Sequence, residues 1–236
     1  MNIWYSYKRS KYNGGTPYYE LAGKQWYDTL HAQLPEIKEK ANTFLQNKGL
    51  DIREYFDPKM VEGTKWESIT FMFWGRRNER VIEQGADLYG YFRDIPGFVS
   101  LSISVLQPRT HIKPHHGDTD AIYRIHIPVY IPAALPDCGL KVAGIDKSWI
   151  ENEMIVFNDA CLHEAWNMTG SPRIVLIMDV IRDEFLPVQN RICQNVLSSF
   201  KYQYFTLKFK FIKKWPGWMK DIVRNSLKPF KNDIFQ

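Results

Sequence analysis

The sequence predicts a mainly β fold, a barrel or jelly roll, with helices before it and a basic extension after it. From residue 99 onwards, apolar and polar side chains alternate along short segments, which is the period of half-buried strands. Residues 154–157 and 174–178 are nearly continuous apolar runs, as expected of strands that are buried on both faces. Short strands separated by loops of this length favour a barrel or jelly roll over alternating strands and helices.

Helical periodicity occurs early in the chain, from about residue 24 to residue 49. Trp26, Leu30 and Leu34 recur at intervals of four residues. Pro35 is expected to break the helix or to restart it as its first residue, where the missing N–H is harmless. We expect this segment to cover one face of the sheet.

Three further segments complete the predicted framework. Residues 66–74 are rich in aromatic and β-branched side chains and predict a strand, whereas residues 83–92 predict a short helix. Residues 124–131 alternate most regularly, but Pro128 has no N–H to donate to a neighbouring strand. That strand is therefore expected at a sheet edge or with a local break.

The composition is that of a globular protein with one full core. No apolar run approaches the ~20 residues needed to cross a bilayer, and the first residues lack the apolar stretch of a signal peptide. The three cysteines, Cys138, Cys161 and Cys193, are an odd number at unrelated spacings. We therefore expect free thiols in a reducing compartment and a cytoplasmic location, with attachment to a membrane surface as the alternative.

Charge is distributed unevenly along the chain. From residue 186 onwards, ten Lys and Arg stand against two Asp, a net charge of +8, which leaves −3 of the total +5 for residues 1–185. We expect residues 1–185 to form the domain and residues 186–236 to form a basic, aromatic extension. A basic face packed on the barrel by its aromatics is slightly favoured over docking on an anionic membrane surface. Nucleic-acid binding is disfavoured because no recognised motif accompanies it, and no feature indicates an oligomeric state.

Histidines occur in two clusters that a barrel could bring together. Residues 114–118 have the sequence PHHGD, His163 follows a buried apolar run, and Arg173 comes ten residues later. Two histidines and one carboxylate are typical of non-haem Fe(II) oxygenases, and an arginine suits the distal carboxylate of a bound 2-oxo acid. His116 with Asp118 fits the His-x-Asp pattern, whereas His115 would leave glycine at the carboxylate position. The chemistry of these residues alone does not decide whether His115 or His116 is the metal ligand.

Four motifs in order resemble the aspartyl/asparaginyl β-hydroxylase domain, a branch of the Fe(II)/2-oxoglutarate oxygenases. They are residues 104–117 (SVLQPRTHIKPHHG), 124–126 (RIH), 157–166 (FNDACLHEAW) and 173–180 (RIVLIMDV). The resemblance covers about residues 60–185 well, the N-terminal helices loosely and the extension not at all. It implies a double-stranded β-helix core of the jelly-roll, cupin-like type with flanking N-terminal helices.

The resemblance also implies a role for each matching residue. His115 and His163 match the iron ligands, and Gly117 stands where most 2-oxoglutarate oxygenases carry an aspartate. Five others match the cofactor's surroundings: Arg173 and Ser104 at the distal carboxylate of 2-oxoglutarate, Arg124 and His126 at its other carboxylate, and Asp159 at an iron-bound water. The alternation of side chains on a strand also favours His115 over His116, while Asp118 remains a possible carboxylate ligand.

The implied activity is hydroxylation of an unactivated carbon, with Fe(II) and 2-oxoglutarate as cofactors. An Asp or Asn side chain of a peptide or protein is the first candidate substrate. A lipid acyl chain, a small amino acid and a non-catalytic binding module are the alternatives.

Overall fold

The structure, a computed structural model, describes residues 2–8, 10–54 and 57–229, so the last seven residues of the predicted extension lie outside it. The described helices are α1 (Gln25–Ala32), α2 (Leu34–Leu45), α3 (Glu79–Gln84), α4 (Ala86–Gly90), α5 (Gln189–Lys208) and α6 (Gly217–Ser226). The described strands are β1 (Arg53–Glu54), β2 (Val61–Glu62), β3 (Trp66–Phe73), β4 (Arg76–Arg77), β5 (Phe98–Leu106), β6 (Thr110–His115), β7 (Ile122–Tyr130), β8 (Cys138–Val142), β9 (Ile145–Lys147), β10 (Ile155–Phe157), β11 (His163–Asn167) and β12 (Arg173–Ile181).

The strands form two antiparallel sheets in a jelly-roll order. The larger sheet runs β1-β3-β5-β12-β7-β10, with β4 paired to β3, and the smaller sheet runs β2-β6-β11-β8-β9. From β5 onwards the chain alternates between the sheets: β5, β7, β10 and β12 lie in one, and β6, β8, β9 and β11 in the other. This arrangement confirms the predicted double-stranded β-helix.

The two faces of the larger sheet differ in polarity. Leu101 and Ile103 of β5 are fully buried in an apolar cluster that includes side chains of the N-terminal helices. Ser100, Ser102 and Ser104 alternate with them and line a cavity on the opposite face. The helices therefore cover the apolar face, and the polar face remains available for a site.

The N-terminal helices follow the predicted pattern with one difference. Pro35 lies at the start of α2, which restarts the helix after α1 as expected. The single helix predicted over residues 83–92 is instead the pair α3 and α4, which meet at Gly85. A Cβ at Gly85 would lie 2.7 Å from the ring of Phe71, so glycine permits the close approach of this helix pair to the sheet.

Pro128 lies in a strand with neighbours on both sides, and it is accommodated by a local break. β10 pairs only with residues 124–126 of β7, so it does not reach Pro128. On the other side, the register with β12 shifts between Ile174 and Val175, where Val175 faces Pro128. The missing N–H thus falls at an irregularity of the ladder, the second of the two predicted possibilities.

The first helix of the extension packs into the jelly roll. Ile192, Cys193, Val196 and Leu197 of α5 are buried in one cluster with Trp74 and residues of β5, β7 and β12. The expected boundary after residue 185 therefore does not coincide with a gap in packing. All three cysteines are buried and unpaired, and within the described residues no helix combines the length and apolarity needed to span a bilayer.

Candidate functional site

A pair of histidines lies where β6 and β11 meet. His115 faces His163 in the ladder, and the two ring centroids are 4.1 Å apart. The register shifts beside this pair, because Ile112 and His115 are three positions apart in β6 while their partners Ala165 and His163 are only two positions apart in β11. This β-bulge contains Pro114, which cannot donate to the ladder, and it directs His115 towards His163.

Backbone carbonyls orient both rings in the same way. Nδ1 of His115 lies 2.8 Å from the carbonyl of Lys113, and Nδ1 of His163 lies 2.8 Å from the carbonyl of Cys161. A carbonyl oxygen only accepts, so each Nδ1 must donate, and each neutral ring keeps its lone pair on Nε2. Two imidazoles fixed in this tautomer are suitable donors for a divalent transition metal.

Burial keeps the two rings neutral. It lowers the pKa of His115 and lowers that of His163 well below the usual range for histidine. The cause is the loss of water around the charged form, to which the neighbouring imidazole adds for His163. A neutral imidazole is the form that binds metal, so no proton has to be displaced at physiological pH.

Asp159 occupies the space that a side chain at position 117 would need. Its carboxylate is fully buried, and Oδ1 lies 3.7 Å from Nε2 of His163. A Cβ at Gly117 would lie only 1.7 Å from Oδ2 of Asp159. The backbone N–H of Asp118 donates to that same oxygen at 3.0 Å. Only glycine fits at position 117, and the carboxylate beside the histidines comes from Asp159.

The alternative residues, His116 and Asp118, line the same cavity as His115 but make other contacts. The exposed His116 ring has Nδ1 2.8 Å from the carbonyl of Ala160 and lies against Trp4. Asp118 lines the cavity, and burial next to Asp159 raises its pKa to about 7. Across residues 2–8, 10–54 and 57–229, no three His, Cys, Asp or Glu side chains form a cluster that could hold a metal. The structure thus brings His115, rather than His116, next to His163.

Arg124 of β7 holds two buried carboxylates. Its Nε and Nη2 donate to Asp179 at 2.8 and 2.9 Å, and its Nη1 forms an ion pair with Asp159. The guanidinium expected at a carboxylate of 2-oxoglutarate therefore also orients Asp159. Sequence reasoning missed Asp179, although it is the one acidic residue in the otherwise apolar run of β12 and shares a strand face with Arg173.

His126 lies between the histidine pair and Arg173. The indole N–H of Trp149 donates to Nδ1 of His126 at 3.4 Å, and the ring of Phe157 contacts both His126 and His163. Burial, together with the charge of Arg173, lowers the pKa of His126 well below its usual range. His126 is thus a neutral, oriented group, and Trp149 is a contributor that sequence reasoning missed.

Arg173 is a buried cation with almost no polar partner. It is 1% exposed, its Nη1 donates to Ser104 Oγ at 3.4 Å, and its Nε has no hydrogen-bond partner among the described residues. The guanidinium lies 4.9 Å from the ring centre of Trp149, and burial lowers its pKa to about 10. A buried charge without a counter-ion costs several kcal/mol, so an anion is the ligand that fits here.

A cavity of about 190 Å³ opens beside His115, and its walls are of two kinds. One is a row of hydroxyls, Ser68, Thr70, Ser100, Ser102 and Ser104. The other includes two aromatic rings, Phe73 of β3 and Phe200 of α5, in edge-to-face contact at 5.0 Å. The extension thus contributes a wall of the candidate site, which sequence reasoning did not predict.

The jelly-roll topology, with functional side chains collected between two antiparallel sheets, defines a cupin-like fold. The sequence model of the family described as aspartyl/asparaginyl β-hydroxylase matches residues 31–183, which is more than half of the chain. The protein belongs to this family of hydroxylases.

The chain is similar to two relatives and to one solved structure. The chain is 25% identical over 173 residues to an ornithine lipid ester-linked acyl 2-hydroxylase of Rhizobium tropici, covering 72% of this chain and 62% of that protein. It is 26% identical over 205 residues to the human aspartyl/asparaginyl β-hydroxylase, covering 80% of this chain and 26% of that protein. The crystal structure of a viral collagen prolyl hydroxylase from Paramecium bursaria Chlorella virus-1 matches with a TM-score of 0.44 and 13% identity over 70% of this chain and 96% of that one.

Proposed function

We propose that the protein is an Fe(II)- and 2-oxoglutarate-dependent hydroxylase that acts on an unactivated carbon. The observation that carries the proposal is Arg173, a fully buried guanidinium without an acidic partner among the described residues. A buried cation of this kind requires an anion, and a dicarboxylate can satisfy it while its other end reaches a metal. Membership of a hydroxylase family supports the reaction type.

His115 and His163 would hold the iron through their free Nε2 atoms. Their tautomers are fixed by the carbonyls of Lys113 and Cys161, so neither ring has to change its tautomer on binding. Asp159 would accept a hydrogen bond from a water on the metal, because its carboxylate lies beside His163 and is held by Arg124.

Arg173 and Ser104 would bind the distal carboxylate of 2-oxoglutarate, with His126 oriented by Trp149 nearby. When bound, the iron supplies the oxidative chemistry: O₂ and 2-oxoglutarate are consumed, one oxygen atom enters a C–H bond of the substrate as hydroxyl, and succinate and CO₂ are released. The chain's own residues bind and orient these groups. They also keep water away, since Phe157 and Trp149 pack around His163 and His126.

Two substrate classes fit the relatives and the cavity. The two relatives are named as hydroxylases of a lipid acyl chain and of Asp or Asn side chains. The hydroxyl-lined wall suits a polar side chain, whereas the aromatic pair Phe73 and Phe200 suits a hydrocarbon chain. We propose these two as the substrates to test first, with a small amino acid third.

The test is succinate formation from 2-oxoglutarate by iron-loaded protein in air, with and without candidate substrates. Arg173→Met should abolish turnover, because the apolar side chain cannot pair with the distal carboxylate. Binding of 2-oxoglutarate to the Mn²⁺-loaded protein, measured by calorimetry, should weaken at least about a hundredfold, in line with the loss of a buried charge-assisted contact. Arg93→Met, at an exposed arginine paired with Asp94, is the matched control and should behave like the wild type.

Succinate release by Arg173→Met at the wild-type rate would refute the role of Arg173. If the folded, iron-loaded wild-type protein formed no succinate with or without substrate, the hydroxylase proposal would fail in favour of a binding module.

A further inference from the structure

The basic extension divides into a buried part and an exposed part. The buried part is the first half of α5, which packs against Trp74. The exposed part carries five large apolar side chains: Tyr204, Leu207, Phe211, Trp218 and Ile222. Trp218 is 64% exposed and Ile222 is 60% exposed, and they are four residues apart on α6, so they share one face of that helix.

Lysines accompany these apolar side chains. Lys201, Lys208, Lys214 and Lys228 are all exposed. The described residues of the extension contain one ion pair, between Arg224 and Asp221, so these four lysines have no acidic partner there. The net charge of residues 186–236 is +8. We call the exposed apolar residues and these lysines together the basic aromatic surface.

The basic aromatic surface begins at the edge of the candidate site. Phe200 of α5 lines the cavity against Phe73, and Lys201 and Tyr204 follow within one turn of the same helix. Further along, ring contacts connect Phe209 to Phe211 at 6.2 Å and Phe211 to Trp215 at 5.9 Å. Phe200, Tyr204 and Leu207 share one face of α5, so a partner on that face would lie next to the cavity.

We propose that the basic aromatic surface docks the protein on an anionic lipid bilayer, with the cavity mouth facing the lipid. Trp and Phe side chains favour the headgroup level of a bilayer, where an apolar ring and a polar edge are both satisfied. Unpaired lysines gain from the negative surface potential of anionic lipids. Four exposed lysines without an acidic partner among the described residues, interspersed with five exposed apolar side chains, are complementary to such a surface. The proposal goes beyond the hydroxylase proposal and does not depend on it.

The experiment is co-sedimentation of the full chain with vesicles of phosphatidylcholine, with or without phosphatidylglycerol, at low and high salt. Point variants are used because removing the extension would uncover Trp74. Two double variants change the basic aromatic surface. One combines Phe211→Ala with Trp218→Ala, and the other combines Lys208→Gln with Lys214→Gln. We expect the double variant of Phe211 and Trp218 to partition onto anionic vesicles at least about tenfold more weakly than the wild type. For the double lysine variant we expect roughly thirtyfold weaker partitioning.

Control variants make comparable changes elsewhere, truncating exposed apolar side chains to alanine and changing exposed lysines to glutamine. Ile52→Ala with Ile150→Ala removes two exposed apolar side chains, and Lys48→Gln with Lys59→Gln removes two exposed charges. Both should bind anionic vesicles like the wild type, and binding should fall at high salt and without phosphatidylglycerol.

The proposal is overturned if the wild type does not sediment with anionic vesicles, or if the control variants lose as much binding as the surface variants. A single-stranded oligonucleotide, followed by fluorescence anisotropy, tests the competing partner. Tighter binding of the oligonucleotide than of vesicles at the same salt would assign the surface to nucleic acid instead. Sedimentation needs no turnover, so its failure is distinguishable from the failure of the hydroxylase proposal.

Discussion

Gly117 is required by a neighbouring side chain and not by its own backbone torsion. The carboxylate of Asp159 fills the space of the missing Cβ, while Arg124 and the N–H of Asp118 hold that carboxylate in place. The acid is thus supplied from the loop between β10 and β11. A glycine in a His-x-Asp position can therefore mark a relocated carboxylate.

Alanine at position 117 should disturb this arrangement. Because its Cβ would overlap Asp159, we expect Gly117→Ala to lower the free energy of unfolding by about 1–3 kcal/mol. It should also weaken Mn²⁺ binding, because Asp159 would move away from His163. Urea unfolding and a Mn²⁺ titration followed by electron paramagnetic resonance measure the two effects.

Gly170→Ala is the control for this substitution, since nothing lies within 4 Å of a Cβ built there. If Gly117→Ala matched Gly170→Ala in both measurements, the close approach of Asp159 to Gly117 would be refuted.

At the scale of the element, α5 joins the extension to the domain. Its buried side chains share a cluster with β5, β7 and β12, and its Phe200 reaches the cavity. The charge count distinguishes a basic segment from a slightly acidic one, but charge says nothing about which apolar residues pack together. Residues 186–236 are distinct from the rest of the chain in charge but not in packing, because their first helix, α5, is buried against the jelly roll.

The packing of α5 has a measurable consequence. Ile192 is fully buried, so Ile192→Ala should lower the free energy of unfolding of the whole chain by about 2–5 kcal/mol in a single transition. Ile222→Ala, the same change at an exposed position of α6, should stay within about 0.5 kcal/mol of the wild type. An unchanged stability in Ile192→Ala, or two separate transitions, would mean that α5 folds apart from the jelly roll.

At the scale of the whole molecule, buried neutral histidines link folding to pH. Burial lowers the pKa of His126 well below its usual range, whereas in the unfolded chain it returns to about 6.5. Below that pH the unfolded state binds more protons than the folded state, so stability falls as the pH falls. The stability that depends on a neutral His126 is fully present above about pH 6.5 and is lost progressively below that pH.

His126→Asn should remove part of this dependence. We expect its urea unfolding midpoint in metal-free protein to change less between pH 7.5 and pH 5.5 (values chosen on either side of about 6.5) than that of the wild type. His31→Asn, at an exposed histidine, should keep the wild-type slope. An equal slope in His126→Asn and the wild type would contradict a buried neutral His126.

Periodicity was sufficient to predict a barrel or jelly roll, because the strands carry their burial pattern locally, and the resemblance to the family narrowed this prediction to a double-stranded β-helix. The alternation around Ser102 and the apolar run of β12 each reflect which faces meet the core. The pairing of Arg124 with Asp179 and of Phe73 with Phe200 could not be predicted in this way. These contacts join segments 55 and 127 residues apart, and only the three-dimensional path of the chain brings them together.

The histidine pair also depends on the alignment of two strands. Each ring is fixed to the backbone of its own chain segment, so the separation of the two Nε2 atoms follows the ladder between β6 and β11. A slip of one residue would place Leu162 or Glu164 opposite His115 and turn His163 to the other side of the sheet. An inserted residue within β11 would therefore eliminate the paired donors even in a chain that still folds.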